Sequence, residues 1–546
     1  MALAALVAAG AFLFSVTPPA PLHLDPAGWD DLAARTIPGA YHIHTTRSDG
    51  HADRAAIAAA AARAGLKFII LTDHGDGTRP PDPPAYINGV LVLDAVEIST
   101  DDGHYVAIDM PRAPYPLGGS GEAVVEDVRR LGGFGIAAHP DSPKESLRWT
   151  STAVPDGVEW LNLDSEWRDE SRGQLLRAAL GYLFRPAPAL ATILNRPATL
   201  DARWPALLAN GPTLALAAAD AHGGVGRRAE DTGRNLAGSV GIPSYEASFR
   251  AFSNRVILDR PLSGDAASDG RAVYGALRHG RVFSSIDALA SPSLLDFAVE
   301  AGYSRDPIGS VLGDDADATI IARALVPPGS EISIVRNGRV VTSSPGGEVR
   351  HVLTGARGAY RAEIQIPGAP GTPPVPWLVS NAIYFGEGRR PVVAGHGVAK
   401  TGPPIAPFPW RIEKDPSSSG TLRTTATSAA LEYKLGEGAR ASQFVAIATD
   451  MKPQAFTSVH LDLSGDRPQR VSVQLRSADG KRWGRSYYVD PAGAALDVLV
   501  ADLEPLNGGA GAIDPRQATS LLVVVDLTNA SPGRAGVLRV LSSAFN

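Results

Sequence analysis

The 546-residue sequence predicts an α/β barrel domain followed by two all-β sandwich domains. Three observations predict it. From Gly39 to about Ser285, short apolar runs alternate with helix-like segments. From about residue 290 the pattern turns to strands and hairpin turns, with no convincing helix. Proline and glycine then crowd residues 391–408, and Pro416–Gly420 follows with linker composition. Strands alternating with helices read as a βα architecture around a parallel sheet, and about 250 residues of it fit a barrel.

The elements follow in order. Met1–Val16 is almost uninterruptedly apolar, and Pro18-Pro19 ends any helix there. Sixteen residues fall short of the ~20 that span a bilayer. The first basic residue is Arg35, and no clean A-x-A cleavage site follows. One reading is a buried core helix. The reading adopted is a signal or membrane anchor over residues 1–20, which places the rest outside the cytoplasm: periplasmic, secreted or anchored.

In the α/β domain, residues 36–290, the candidate strands are Ala40–His44, Phe68–Asp73, Val90–Ile98, His104–Asp109, Gly135–His139, Val158–Leu163, Leu214–Asp220 and Val256–Leu258. Helix-like segments lie at Ala52–Ala64, Ala123–Leu131, Arg172–Phe184, Leu200–Ala209 and Arg271–His279. In residues 291–390, Ile332 and Ile334 precede the hairpin signal Asn337-Gly338, and Val340-Val341 follow, as expected of a β-sandwich. In residues 409–546, Val471, Val473 and Leu475 alternate before Asp479-Gly480, with Tyr487 and Val489 beyond. Ser520–Leu527 reads as a buried strand, and the domain as a second, jelly-roll-like sandwich.

Composition narrows the chemistry. Fifty-one basic and 57 acidic side chains leave a net charge of −6, which argues against a nucleic-acid coat. Cysteine is absent, so disulfides, cysteine-built zinc or iron–sulfur sites and thiol nucleophiles are excluded. A metal site here must use histidine and carboxylate.

Those residues gather at the C-terminal ends of the proposed barrel strands, where such barrels place their active sites. The first strand closes Tyr41-His42-Ile43-His44, with Thr45-Thr46-Arg47-Ser48-Asp49-Gly50 after it. Period-two spacing puts His42 and His44 on one side of that strand. Then come Asp73-His74-Gly75, Val96-Glu97, a turn through Asp101-Asp102-Gly103 to His104, His139-Pro140, and Asp220-Ala221-His222. A single histidine at a strand end is ordinarily a polar residue meeting water. Six of twelve doing so, with Asp49, Glu97 and Asp220 in the same motifs, point instead to ligands. His23, His51, His279, His351, His396 and His460 lack that context and read as surface residues. Imidazole and carboxylate donors suit Zn, Mn or Fe, and nine exceed what one ion can use, so two or three divalent metal ions are expected.

In this order the motifs H-x-H-x4-D, D-H-G, a lone Glu with a following His, H-P and D-x-H resemble the PHP (polymerase and histidinol phosphatase) superfamily, over about residues 39–285. The lone Glu, the Asp101-Asp102-Gly103 turn with His104, and Ala276–Phe283 are similar to its CehA/McbA branch of carbaryl hydrolases, whose members often carry export signals and β domains. The resemblance implies a distorted (βα)7 barrel with a di- or trinuclear centre. It implies one ion on His42, His44, Glu97 and Asp220, a second on Asp49, His74 and His222, and a third on Glu97, His104 and His139. Asp49, His74 and His222 are then the expected catalytic residues.

The expected activity is that of a metal-dependent hydrolase, foremost a phosphoesterase acting on a small-molecule phosphoester through a metal-bound hydroxide. No G-x-S-x-G elbow offers a serine route. Arg47, Arg227, Arg228 and Arg168 are candidate phosphate contacts, each otherwise an ordinary surface arginine. Asn162 either touches substrate or caps a turn. The same centre could serve a carbamate, ester or amide. A different class of reading is a surface glycan-binding protein with a non-catalytic barrel: Trp377, Trp410, Trp483 and Tyr487-Tyr488 form either a sugar-stacking face or core. No nucleic-acid partner is expected.

Overall fold

The computed structural model describes residues 16–224, 241–313, 318–353, 355, 357–386, 409–425, 428–439, 442–506 and 511–546. It is a mixed α/β chain, rich in strands and built from several sheets. Two compact units divide it: one takes residues 1–75, 81–111 and 132–391, the other 76–80, 112–131 and 392–546. The residues before Val16, the stretch 391–408, Arg227, Arg228 and His396 lie outside the described residues.

The strands that carry the site in the first unit are β1 (Thr36–Tyr41), β2 (Phe68–Leu71), β3 (Val90–Asp94), β4 (Val96–Thr100), β5 (Gly103–Ile108), β6 (Phe134–Ala137), β7 (Gly157–Asn162), β8 (Leu214–Ala218), β9 (Ser253–Ile257) and β10 (Val282–Ser285). One sheet runs β8-β7-β6-β5-β4, parallel across its first three strands and antiparallel beyond. A larger sheet contains β10-β9-β1-β2-β3, in which β1, β2 and β3 are parallel. Backbone hydrogen bonds join the two sheets twice. Ala219 N donates to Tyr41 O at 3.0 Å and Ala221 N to His42 O at 3.1 Å, and on the other side Gly75 N donates to Glu97 O at 3.0 Å.

Alternate residues of these strands enter two cores. Phe68, Ile70, Leu91, Leu93, Val106, Ile136 and Leu216 share one. Ile69, Leu71, Val90 and Val92 share the other with Ile57, Ala58 and Ala61 of the helix Arg54–Arg63. A strand buried on both faces reads as a continuous apolar run, which is why Phe-Ile-Ile-Leu and Val-Leu-Val-Leu stand out in the sequence.

Two strand expectations are corrected. The run Val90–Ile98 is not one strand: it breaks at Ala95, β3 pairing with β2 and β4 with β5, so a single apolar stretch serves both sheets. The first strand ends at Tyr41 rather than His44, because His42 takes a left-handed backbone, φ 63°. Strand pairing also runs across residue 290: Phe283 of β10 faces Ser380 of Leu378–Ser380, within the one unit. The Asn337-Gly338 turn joins Glu331–Arg336 to Arg339–Pro345, both residues at positive φ (48° and 82°) as a two-residue hairpin needs.

In the second unit, a six-stranded and a five-stranded antiparallel sheet contribute side chains to one core, among them Leu431, Ile447, Leu461, Val473, Val523 and Leu538. Val471 pairs with Tyr487 and Leu475 with Trp483 across the hairpin expected at Asp479-Gly480. His460 departs from its reading as a surface residue. It is buried, its Nδ1 2.9 Å from Asp497 Oδ1.

Candidate metal centre

His42, His44, His74, His139, Asp220 and His222 lie just past the ends of strands, whereas Glu97 and His104 sit at the starts of β4 and β5, and three residues of the site hold the backbone in an unusual state. His42, His139 and Asp220 have φ of 63°, 31° and 41°, half of the non-glycine residues at positive φ among the described residues. A left-handed backbone on these residues costs free energy that the surrounding fold must hold in place, and such costs cluster at functional sites. Here the kinks turn the chain ends inward.

The nine side chains expected as ligands all converge. Four sets of three donors each lie within 4.8 Å of one another: His42, His44 and Asp220; His42, Glu97 and His139; His44, Asp49 and His222; His44, His74 and Glu97. His104 joins through Glu97, its Nδ1 2.8 Å from Oε1. Glu97 is central. Its Oε1 is 2.9 Å from His139 Nε2, and its Oε2 is 3.3 Å from both His42 Nε2 and His44 Nε2 and 3.1 Å from His74 Nδ1. Asp49 closes the outer side, 3.3 Å from His222 Nε2 and 3.5 Å from His74 Nε2.

Electrostatics follow from burial and crowding. Burial alone would raise Glu97 and Asp220, but the surrounding imidazoles, His42 foremost, hold both well below the usual carboxylate range. Asp49 is likewise lowered by His222 and His74 against the effect of burial. Burial, with the charge of His222 next, pushes His44 down to about 4. Burial would also lower His139, yet its hydrogen bond to Glu97 and that carboxylate's charge lift it to about 9. The site is thus a knot of ionised carboxylates among imidazoles.

Whether these residues suit divalent ions is tested by atoms left without hydrogen bonds. His42 Nε2 and Glu97 Oε2 are buried, accept or donate no hydrogen bond, and face each other across 3.3 Å. A buried polar atom that makes no hydrogen bond is costly and rare in folded proteins. Two of them converging among seven further nitrogen and oxygen donors fit cation binding, and the absence of sulfur leaves borderline and hard metals as the match.

Two residues of the site escaped the sequence reading. Glu159 lies on β7 with its side chain fully buried, and its Oε1 is 2.6 Å from His42 Nδ1. Its Oε2 accepts from His139 N at 2.7 Å and from Asn162 Nδ2 at 2.8 Å. Asn162 caps the following helix through Ser165 N and also reaches Asp220 Oδ2 at 3.3 Å, so it holds ligands in place as well as capping. Asp73 accepts from Thr45 N, Thr45 Oγ1 and Ser48 Oγ at 2.7–2.8 Å, which shapes the loop that carries Asp49. The signal for Glu159 was a single carboxylate inside Val158-Glu159-Trp160-Leu161.

The arginines do not join the centre. Arg47 pairs with Asp82 and lies 3.7 Å from Asp94, and Arg168 pairs with Asp164. Arg227 and Arg228 lie outside the described residues. The aromatic residues of the sugar-face reading are largely interior. Trp377 and Trp483 are buried with their indole N–H groups on Ala290 O and Gly511 O, Tyr487 is buried, and Trp410 packs on the core. Tyr488 lies under the Arg130 guanidinium at 3.6 Å.

No protein-family model matches the sequence, and no curated protein matches it. Among solved structures, a two-domain protein containing a predicted PHP-like metal-dependent phosphoesterase from Bacteroides vulgatus aligns over 64% of this chain and 93% of its own, at 14% identity and a TM-score of 0.26. A family 11 carbohydrate-binding module of a Clostridium thermocellum cellulase aligns over 27% of this chain and 95% of its own, at 10% identity and a TM-score of 0.22. At such scores neither likeness decides the chemistry of this chain, which rests on its own residues.

Proposed function

We propose that the chain is a metal-dependent phosphoesterase of the PHP type, its site strands forming a distorted (βα)7 barrel followed by β-sandwich domains. The observation that carries this reading is the convergence of nine histidine and carboxylate side chains around His42 Nε2 and Glu97 Oε2, two buried atoms that make no hydrogen bond. Two or three divalent ions, drawn from Zn, Mn or Fe, would be held by His42, His44, Glu97 and Asp220, by Asp49, His74 and His222, and by Glu97, His104 and His139. When bound, such ions supply an acidified water and positive charge for the oxygens of an in-line displacement.

The chain's own residues prepare that chemistry. Glu159 engages His42 Nδ1, leaving Nε2 turned to the centre. Leu147 O does the same for His139 through Nδ1 at 2.9 Å, and Asp220 O for His222 at 3.0 Å. These contacts fix ring orientation, which is what partners behind metal-binding histidines do. The centre is graded in exposure: the side chains of His42, His44 and Glu97 are at most 1% exposed, while Asp49 and His222 are 16% and His74 is 34% exposed. Substrate therefore approaches from the Asp49, His74 and His222 side, which supports those three as the catalytic residues.

The test is hydrolysis by the purified full chain, supplied with Zn, Mn or Fe, of an aryl phosphomonoester, an aryl phosphodiester and an aryl carbamate. The expected result is phosphoester turnover that a chelator abolishes and that His42→Ala and Asp220→Ala lose. Carbamate turnover alone would move the chain to the carbamate, ester and amide reading. Full activity in either variant would sink the metal centre.

A further inference from the structure

Tyr245 is not among the nine ligand side chains, yet it joins two loops that carry them. It opens the helix Tyr245–Ala251, which Ser244 caps by accepting from Ala247 N. Buried, its ring enters the core beside Ile43, Ala219, Ala221 and Phe249. Its hydroxyl reaches the backbone of the loop after β1, where it donates to His44 O at 2.7 Å and accepts from His51 N at 3.1 Å. His51 N is shared, for it also donates to His222 O at 2.8 Å. One hydroxyl thus links the carbonyl of His44 to a peptide N–H that is itself bound to the carbonyl of His222.

Glycine makes this fit possible. A Cβ on Gly50, the residue after Asp49, would lie 2.7 Å from Tyr245 Oη. One on Gly223, the residue after His222, would lie 2.1 Å from Tyr245 Cε2, and the φ of 76° there also favours glycine. The backbone beside two ligands is therefore pressed against a single ring. The side chains these loops present form one of the four donor sets, His44, Asp49 and His222. His44 Nδ1 is 3.3 Å from Asp49 Oδ1, and the His44 and His222 rings stack with centroids 4.3 Å apart. Glu97, His104 and His139 come from other elements.

We infer that Tyr245 is a positioning residue for the ion assigned to Asp49, His74 and His222, setting the spacing of His44, Asp49 and His222 through the backbone of the loops that carry them. The inference rests on the metal-centre reading and adds to it a residue outside the ligand set. A phenol hydroxyl donates and accepts at once, so an apolar ring cannot replace it.

Zinc titration of the full chain against a chromophoric chelator reads each bound equivalent. Tyr245→Phe keeps the ring on Gly223 and removes both hydrogen bonds. It should weaken one equivalent roughly tenfold or more, the loss usual when support behind a metal ligand is removed, and leave the remainder unchanged. Phosphomonoester turnover at limiting zinc should fall by the same order and recover as zinc is raised, which a loss of folded protein would not do. The control is Tyr182→Phe, whose hydroxyl accepts from Ser244 N at 3.0 Å at the start of the same helix. That variant should titrate like the parent. A Tyr245→Phe titration that overlays the parent's overturns the inference. So does an equal loss in every equivalent, or an equal loss in Tyr182→Phe, since helix placement and not the hydroxyl would then hold the loops. A parent protein that binds no zinc would overturn the metal centre itself, and this role with it.

Discussion

Glu159 shows how a single side chain can be decisive and still be hard to read in a sequence. Its partner His42 lies 117 residues away, so no local motif joins them. Changing Glu159→Gln keeps the shape but removes the carboxylate behind the His42 ring, which also accepts from the His139 backbone N–H. Zinc affinity, measured by competition with a chromophoric chelator, should fall roughly 10–100-fold, the usual loss when a partner behind a metal-binding histidine is weakened. Unchanged affinity would mean that the ring is held by packing alone. Glu166 behaves differently. It is buried, accepts from Asn195 N at 2.6 Å, and burial, with Asp169, Asp141 and Glu170 nearby, pushes it up to about 8. In the unfolded chain it titrates near 4.5, so between about pH 4.5 and 8 the folded state binds the extra proton. Stability must therefore fall as pH rises through that window, and level off above it. Glu166→Gln should flatten this slope and make the protein more stable than the parent at pH 8 by a margin on the order of a few kcal/mol, read from urea midpoints across pH. A variant with the parent's slope would assign the titration elsewhere.

At the level of elements, most of what positions the site was legible. The helix expected at Ala52–Ala64 is Arg54–Arg63, capped by Asp53 on Ala56 N, and that at Arg172–Phe184 is Arg172–Tyr182. Alternation and caps are local signals, and local signals survive folding. Two features were not legible. The break of Val90–Ile98 into β3 and β4 depends on which neighbour each half meets, and apolar side chains are the same on both sides of the break. The inward turn at His42 depends on a backbone angle that histidine does not advertise, so alternation along one strand was the wrong reason for the right pair. The loop after His44 is held by a close approach: a Cβ on Gly50 would lie 2.1 Å from His44 O. Gly50→Ala must push the chain away there and move Asp49 with it. Phosphoester turnover should drop roughly a hundredfold, as displacements near 1 Å in a catalytic group do, while far-ultraviolet circular dichroism stays unchanged. Retained turnover would show that the loop can yield without moving Asp49.

At the scale of the whole molecule, the second unit is not a simple C-terminal appendage. Residues 112–131 belong to it, and the helix Gly121–Arg130 is bound there by Arg470, whose fully buried guanidinium is 2.9 Å from Asp127 and 2.5 Å from Glu126. Asn529 adds a hydrogen bond to Pro116 O at 3.0 Å. Removing one partner of a buried ion pair strands the others, so Arg470→Ala should destabilise this unit by roughly 3–5 kcal/mol in urea unfolding. Arg470→Met with Asp127→Asn should recover much of that loss, and equal losses would argue for packing rather than charge. Sequence spacing could not show this connection, because the interacting residues are separated by 343 positions. Nor did the absence of cysteine fix how the chain would meet its need for polar chemistry; six histidines and three carboxylates, brought together from five strand ends, meet it at one place. That convergence is the central claim, and metal content tests it most directly. Full-length protein purified with zinc, manganese and iron available, then desalted, should retain two to three equivalents of transition metal by elemental analysis, and Glu97→Gln, which removes a charge from the residue shared by most of the donors, should retain fewer. A metal content near zero in the parent protein would contradict it.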